Sequence, residues 1–289
     1  MEVTTAYRRQ HSIRLGDGRV IRFPAVMGVL NVTPDSFSDG GKYLDPGRAV
    51  EHALKMEAAG ATIIDIGGES TRPHGAREVS AEVEIERVAP VLKRLGGRLH
   101  APISIDTRKA AVARVALDTG AAIINDVSAL EADFAMAPLV AASKCGVILM
   151  HMRGGPADHI KFAHYRDVVG EVATYLAVRA RDAVRRGVIR SRIILDPGLG
   201  FAKLPRHSLR LLNALPRLCA LGYPILVGAS RKGFVREAAG QNPAAIEFAT
   251  AAASAIAVAA GASIVRVHNV AAALAAVKMV AAIKSSDGG

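Results

Sequence analysis

Eight short apolar runs punctuate the chain, and nearly every one ends in a polar residue with chemistry to offer. AVMGVL ends at Asn31, ISI at Asp106, AAII at Asn125, GVILM at His151, IIL at Asp196 and ILVGA at Ser230. Asp65 sits inside TIIDIGGESTR, and SIVRVH carries Arg266 and His268. Helical segments fall between the runs. Residues 46–59 open with Asp45-Pro46 and stop at Gly60, and 80–95 carry acidic residues early with Lys93 and Arg94 late, as helix ends prefer. Further helices fit 108–119, 132–144, 165–186, 206–221, 232–239, 243–260 and 270–284. Strands alternating with helices imply βαβ units and a parallel sheet. Eight units favour a closed (β/α)8 TIM barrel over an open sheet; a doubly wound fold is the alternative, although no glycine fingerprint follows the first run as it would in a dinucleotide-binding version. Such a barrel gathers the carboxyl-terminal ends of all its strands around one mouth. Residues as distant as Asn31 and His268 then share a pocket.

The organisation this predicts is one domain. Residues 1–24 form an N-terminal hairpin segment, with a turn at Gly16-Asp17-Gly18, packed on a barrel of residues 25–289. A content of 51% hydrophobic against 22% charged residues excludes global disorder. Cys145 and Cys219 lie in no CxxC or Cys/His cluster, which argues against zinc and for a reducing compartment. MEVTTAYRRQHSIR has no apolar signal region, and Phe248 to Ala262 is too alanine-rich and short for a membrane span. A cytoplasmic protein without a membrane partner is expected. The net charge of +11 suits a polyanionic small molecule better than nucleic acid, since the arginines are dispersed and aromatics are only 4% of residues. The segments 31–43 and 69–80 are long, polar and rich in glycine and proline, as binding loops are.

Taken singly, an Asp or Asn at a strand end reads as a helix cap, and capping suffices for Asp106-Thr107 before RKAAVARVAL. Asp65, inside its run, reads as a buried, satisfied interior group and not as a catalytic one. Converging on one rim, the polar ends divide by chemistry. Asp106, Asn125 and Asp196 suit the donor and acceptor edge of a planar heterocycle. Asn31, Thr71, Arg72, Arg266 and His268 offer the hydroxyls, forked donors and metal-seeking oxygen that a diphosphate needs. Lys232 stands at a helix start after Gly228-Ala229-Ser230, where an anion is favoured.

NVTPDSFSDGG (31–41), IDIGGESTRP (64–73), SIDT (104–107), INDVSAL (124–130), LMHMRG (149–154), DPGLGF (196–201), GASRKGF (228–234) and GASIVRVH (261–268) together resemble the dihydropteroate synthase family, from about residue 25 to the end. The resemblance implies the barrel. It also implies condensation of 6-hydroxymethyl-7,8-dihydropterin diphosphate with p-aminobenzoate, releasing diphosphate with magnesium. It would place the pterin on Asp106, Asn125, Asp196 and Lys232, and the magnesium-bound diphosphate at Asn31. Thr71, Arg72, Arg266 and His268 would surround the diphosphate oxygens, and Pro34, Phe37, Pro73, Phe201 and Ser230 would shape the p-aminobenzoate site. The family is typically dimeric, and the alanine-rich helices 243–260 and 270–284 suit close packing, so a homodimer is expected. Asn269, Ala202, Leu204, Ser208 and Gly155 stand where the family commonly has aspartate, glycine, threonine, asparagine and threonine. Those departures keep open a low-activity or non-catalytic pterin-binding paralogue. A pterin-binding methyltransferase of the methionine synthase or corrinoid type is the other alternative; Lys232, Arg72 and NVTPDSFSDGG argue against it.

Overall fold

The computed structural model describes residues 11–33, 45–69, 78–155 and 158–286. A short antiparallel hairpin, β1 (Ser12–Arg14) and β2 (Val20–Arg22), turns through residues 15–19. Eight parallel strands follow: β3 (Ala25–Asn31), β4 (Ile63–Gly67), β5 (Ile103–Asp106), β6 (Ala121–Asp126), β7 (Gly146–Met150), β8 (Ile193–Asp196), β9 (Leu226–Val227) and β10 (Ile264–Val267). Strands β3 to β8 pair in sequence order, and β10 returns to pair with both β3 and β9. The ring closes at a single bridge from Leu195 to Ile225, where the Leu195 N–H also donates to the Pro224 carbonyl at 2.9 Å. The eight apolar runs are the eight barrel strands.

Because successive side chains alternate faces, each run feeds two cores. Met27, Ile63, Ile123, Ile148, Ile194, Leu226 and Ile264 fill the barrel interior. Their neighbours Val26, Ile64, Ile124, Val147, Leu149, Ile193 and Val265 face the helices. The hairpin belongs to the interior core: Ile13, Leu15 and Ile21 are buried with it, so β1 and β2 plug the end of the barrel opposite the strand carboxyl termini.

Several helices start where capping residues predict. Asp45 accepts from the Gly47 N–H at 2.8 Å to open Pro46–Ala58, Ser80 opens Ala81–Leu95, and Asn242 opens Pro243–Ala259. The single helix expected over 206–221 is instead two, Pro205–Asn213 and Leu215–Cys219, broken just before Pro216, which has no N–H to continue the first. Among the described residues no single helix is long and apolar enough to cross a membrane.

Candidate active site

Strand register builds the mouth. Asn31 aligns with Gly67, Gly67 with Asp106, and Asp106 with Asn125, so three of the expected site residues share one tier. Asp65 lies one tier below. It has the parity of Ile63, so its side chain points into the barrel, where it is fully buried. Arg266 arrives from β10 on the other side of β3 and joins the two tiers. Its Nε donates to Asp65 Oδ2 at 2.6 Å and its Nη2 to Asp106 Oδ2 at 2.7 Å. Asn125 Nδ2 donates to the same Asp65 oxygen at 3.1 Å. Asp65 is thus interior, as expected, yet only partly satisfied, since its Oδ1 has no hydrogen-bond partner among the described residues. It is the floor of the site.

Asp106 does not cap a helix. The helix Ala110–Asp118 begins at Lys109 without a side-chain cap, and its Ala110 N–H donates instead to Asp133 Oδ2 at 2.8 Å. Two carboxylates therefore share one guanidinium. Burial pushes the Asp106 carboxyl up to about 7; Arg266 opposes that shift and the Asp65 charge adds to it. The two carboxylates hold the Arg266 pKa above its ordinary value despite burial, so the guanidinium stays charged.

The second group comes from the ends of β8 and β9. Asp196 Oδ1 accepts from the Gly198 N–H at 2.7 Å; burial raises its pKa and Lys232 opposes the rise. Gly198 has φ +64° and sits so close to β7 that a Cβ would lie 2.1 Å from the His151 carbonyl oxygen. Only glycine makes that turn. Lys232 Nζ stands 4.5 Å from the centre of the Phe201 ring and donates to the Leu199 carbonyl. Burial lowers its pKa to about 8, with Asp196 resisting. A Cβ at Gly228 would lie 3.8 Å from Arg266 Cβ and 3.9 Å from Lys232 Nζ, so the bare glycine lets both cations border one space. Beside them Ser230 Oγ is 2.9 Å from His268 Nδ1 and accepts from the His268 N–H at 3.2 Å.

Asn31, Asp106, Asn125, Asp196, Phe201, Ser230, Lys232, Arg266 and His268 all come from the carboxyl ends of the strands or from the segments that follow them. Pro34, Phe37, Thr71, Arg72 and Pro73 lie outside the described residues, as does most of the two long loops. The flanks of the second loop carry an ion cluster that sequence reasoning missed. Lys109 bridges Glu69 and the buried Glu84, and Arg108 reaches Glu78 at 2.9 Å. The motif ESTRP shows one of these residues, Glu69, but its partners Arg108 and Lys109 come from the next βα unit, after β5. Among the described residues no group of three or more His, Cys, Asp or Glu is placed to hold a metal ion.

Carboxylates, an amide and a lysine around one barrel mouth suit the edge of a flat nitrogen heterocycle. The family model for pterin binding enzymes matches residues 27–268. A dihydropteroate synthase from Mycobacterium leprae is 51% identical over 264 residues, covering 89% of this chain and 92% of that protein. The chain belongs to the dihydropteroate synthase family of pterin-binding enzymes. A second member, from Synechocystis, is 45% identical, with 85% of each chain covered. The solved dihydropteroate synthase of Xanthomonas albilineans with 4-aminobenzoic acid superposes with a TM-score of 0.88 at 42% identity, over 95% of this chain and 98% of that one. The same enzyme in complex with 7,8-dihydropteroate gives 0.84 at 40% identity, over 94% and 98%.

The departures from the dihydropteroate synthase pattern occupy supporting places. Asn269 Oδ1 accepts from the Ala272 N–H at 3.1 Å at the start of the last helix, a job aspartate also does. Ser208 Oγ accepts from the Gly200 N–H at 3.1 Å. The Leu204 N–H donates to His207 Nδ1 at 3.3 Å, and the Gly155 N–H to Asp158 Oδ1 at 2.7 Å. Ala202 takes φ +49°, a left-handed conformation that glycine adopts without strain.

Proposed function

We propose that the chain condenses 6-hydroxymethyl-7,8-dihydropterin diphosphate with p-aminobenzoate to give 7,8-dihydropteroate and diphosphate. The observation that carries this reading is the Arg266 clamp between Asp65 and Asp106, facing Asp196 and Lys232 across Gly228. Asp196 and Asn125 meet the amino-nitrogen edge of the pterin, and the Lys232 ammonium donates to its acceptor side. Asp106, held in place by Arg266, faces the positive charge that develops as the methylene carbon–oxygen bond breaks and its electron pair leaves with diphosphate. The aniline nitrogen of p-aminobenzoate then attacks through its own lone pair and releases a proton, so no side chain has to be a strong base. Phe201 and Ser230, with Pro34, Phe37 and Pro73, line the amine side. Thr71, Arg72, His268 and the remaining terminal nitrogen of Arg266 take the diphosphate oxygens, where fixed cations act most strongly.

Magnesium fits this site as a companion of the diphosphate. Asn31 presents a carboxamide oxygen at the rim, and the described residues hold no carboxylate cage for a resident ion. Magnesium characteristically keeps its waters and binds through substrate phosphates and few protein oxygens. When bound, it neutralises charge on the leaving diphosphate.

The test is p-aminobenzoate-dependent release of diphosphate from the pterin diphosphate with magnesium present. Pterin binding without turnover would refute the condensation and leave a sequestering paralogue.

The chain acts as a homodimer in this reading. Helices Pro243–Ala259 and Val270–Ser286 pack side by side and leave Phe248 76%, Ile256 56%, Met279 63% and Ile283 54% exposed. Large apolar side chains grouped in this way mark contact surfaces. A monomeric mass by light scattering at micromolar concentration would refute the dimer. Cys145 and Cys219, both unbridged, suit the cytoplasm.

A further inference from the structure

We propose that Lys203 is a positioning residue for the amine side of the pocket, acting through Phe201; the proposal rests on the condensation described above. Lys203 follows the turn after β8 and is only 3% exposed, because its side chain folds back under its own loop. Its Nζ donates to the Phe201 carbonyl at 2.9 Å and to the His151 carbonyl at 3.3 Å, and lies 2.9 Å from His151 Nδ1. His151 directly follows β7, and its ring packs edge-on against Tyr175 with centroids 4.8 Å apart. Burial and the nearby cations push its pKa down to about 2, so the ring is neutral and has a nitrogen free to accept a hydrogen bond.

A buried amine is a costly way to fill space, since a methionine or leucine would occupy the same volume without desolvating a charge. Its partners indicate what it holds. Gly198, Ala202 and Gly200 all have positive φ, at +64°, +49° and +80°, so the loop turns left-handed three times within five residues. Side chains rarely adopt that backbone unless their surroundings impose it. Lys203 supplies the surroundings by gathering the carbonyls of Phe201 and His151 around one nitrogen. On the adjacent peptide the Ala202 N–H donates to His159 Nδ1 at 2.8 Å. The loop is therefore pinned to the segment after β7 at two consecutive residues. The Phe201 ring that results stands 4.5 Å from Lys232 Nζ and 5.6 Å from the His159 ring. Asp196 has two bonds that Lys203 does not make, from the Gly198 N–H to its Oδ1 at 2.7 Å and from the His151 N–H to its carbonyl at 2.9 Å. Loss of Lys203 thus falls first on the Phe201 carbonyl and the amine side, and reaches the pterin edge only through His151 and the charge it places near Asp196.

A double-mutant cycle of Lys203→Met and Phe201→Ala tests this. Lys203→Met is expected to raise KM for p-aminobenzoate about tenfold while KM for the pterin diphosphate changes less than about threefold. Phe201→Ala is expected to do the same, and the double variant to be no worse than Phe201→Ala alone. An unchanged amine KM in Lys203→Met, or additive effects in the double variant, would overturn the proposal. Should Lys203→Met fail to fold by circular dichroism, His151→Phe removes the ring acceptor and keeps an aromatic ring against Tyr175; an amine KM that does not rise in that variant overturns the proposal equally. Calorimetric titration of p-aminobenzoate onto magnesium-free protein saturated with pterin diphosphate must show the same loss of affinity. A wild-type protein that binds both molecules without turnover would refute the condensation, while that affinity shift still decides the role of Lys203.

Discussion

Replacing Asp65 by asparagine should change both stability and the pH dependence of the reaction, and the two effects come from one geometry. Asp65 is fully buried, and its Oδ2 accepts from Arg266 Nε and Asn125 Nδ2. Removing one partner of a buried ion pair typically costs about 3–5 kcal/mol. Here Arg266 keeps Asp106, and the asparagine oxygen can still accept from Nε, so the loss falls to about 2 kcal/mol, the size of a hydrogen bond to a charged group. In a chain of 289 residues that lowers Tm by roughly 3–4 °C. The kinetic effect follows from Asp106, whose pKa burial raises to about 7 with help from the Asp65 charge. Asp106 acts as a carboxylate, so kcat/KM for the pterin diphosphate rises with pH through about 7 in the wild type. Two unit charges about 5 Å apart at an effective dielectric of about 20 repel by about 3 kcal/mol, or roughly two pKa units. Partial cancellation by Arg266 leaves about one unit. In Asp65→Asn the acidic limb should therefore move down by about one pH unit, towards the ordinary carboxylate range. The assay is the pH profile of kcat/KM between pH 5 and 9, beside a thermal melt. A limb that stays near 7 in a folded variant would refute the electrostatic link between the two carboxylates.

Three further outcomes follow from single positions. Lys232→Met should remove the basic limb, which the wild type shows as its ammonium is lost above about 8, and lower kcat/KM by roughly 10–100-fold; a basic limb that persists would assign it to another group. Gly198→Ala places a Cβ 2.1 Å from the His151 carbonyl at φ +64° and should weaken pterin binding by about tenfold or more, read by calorimetry; native affinity would contradict the close approach. Ala202→Gly removes a buried methyl but relieves a φ of +49°, so urea unfolding should show a change within about 1 kcal/mol of zero or a small gain; a larger loss would mean the methyl matters more than the strain.

The parts of this site that were legible in the sequence are those whose position follows from local pattern. A polar residue that ends an apolar run ends a parallel strand, and a closed barrel brings such ends together, which is why Asn31, Asp106, Asn125 and Asp196 could be read as neighbours. Asp65 was legible only halfway. Its parity with Ile63 places it inside, but its partner Arg266 lies 201 positions away and reaches it only because β10 closes against β3. The cap reading of Asp106 failed for a similar reason. The competing capper, Asp133, is 23 residues downstream of Ala110, after β6, and no local pattern announces it. Lys203 was the least visible. Beside GLGFA, a lysine reads as a solvated charge, and it becomes a buried tie only when the segments after β7 and β8 pack over it. Each of these three residues owes its role to a contact between different βα units. In a fold whose strands are interchangeable in pattern, local sequence places the reacting groups, and contacts between units set their charge and aim.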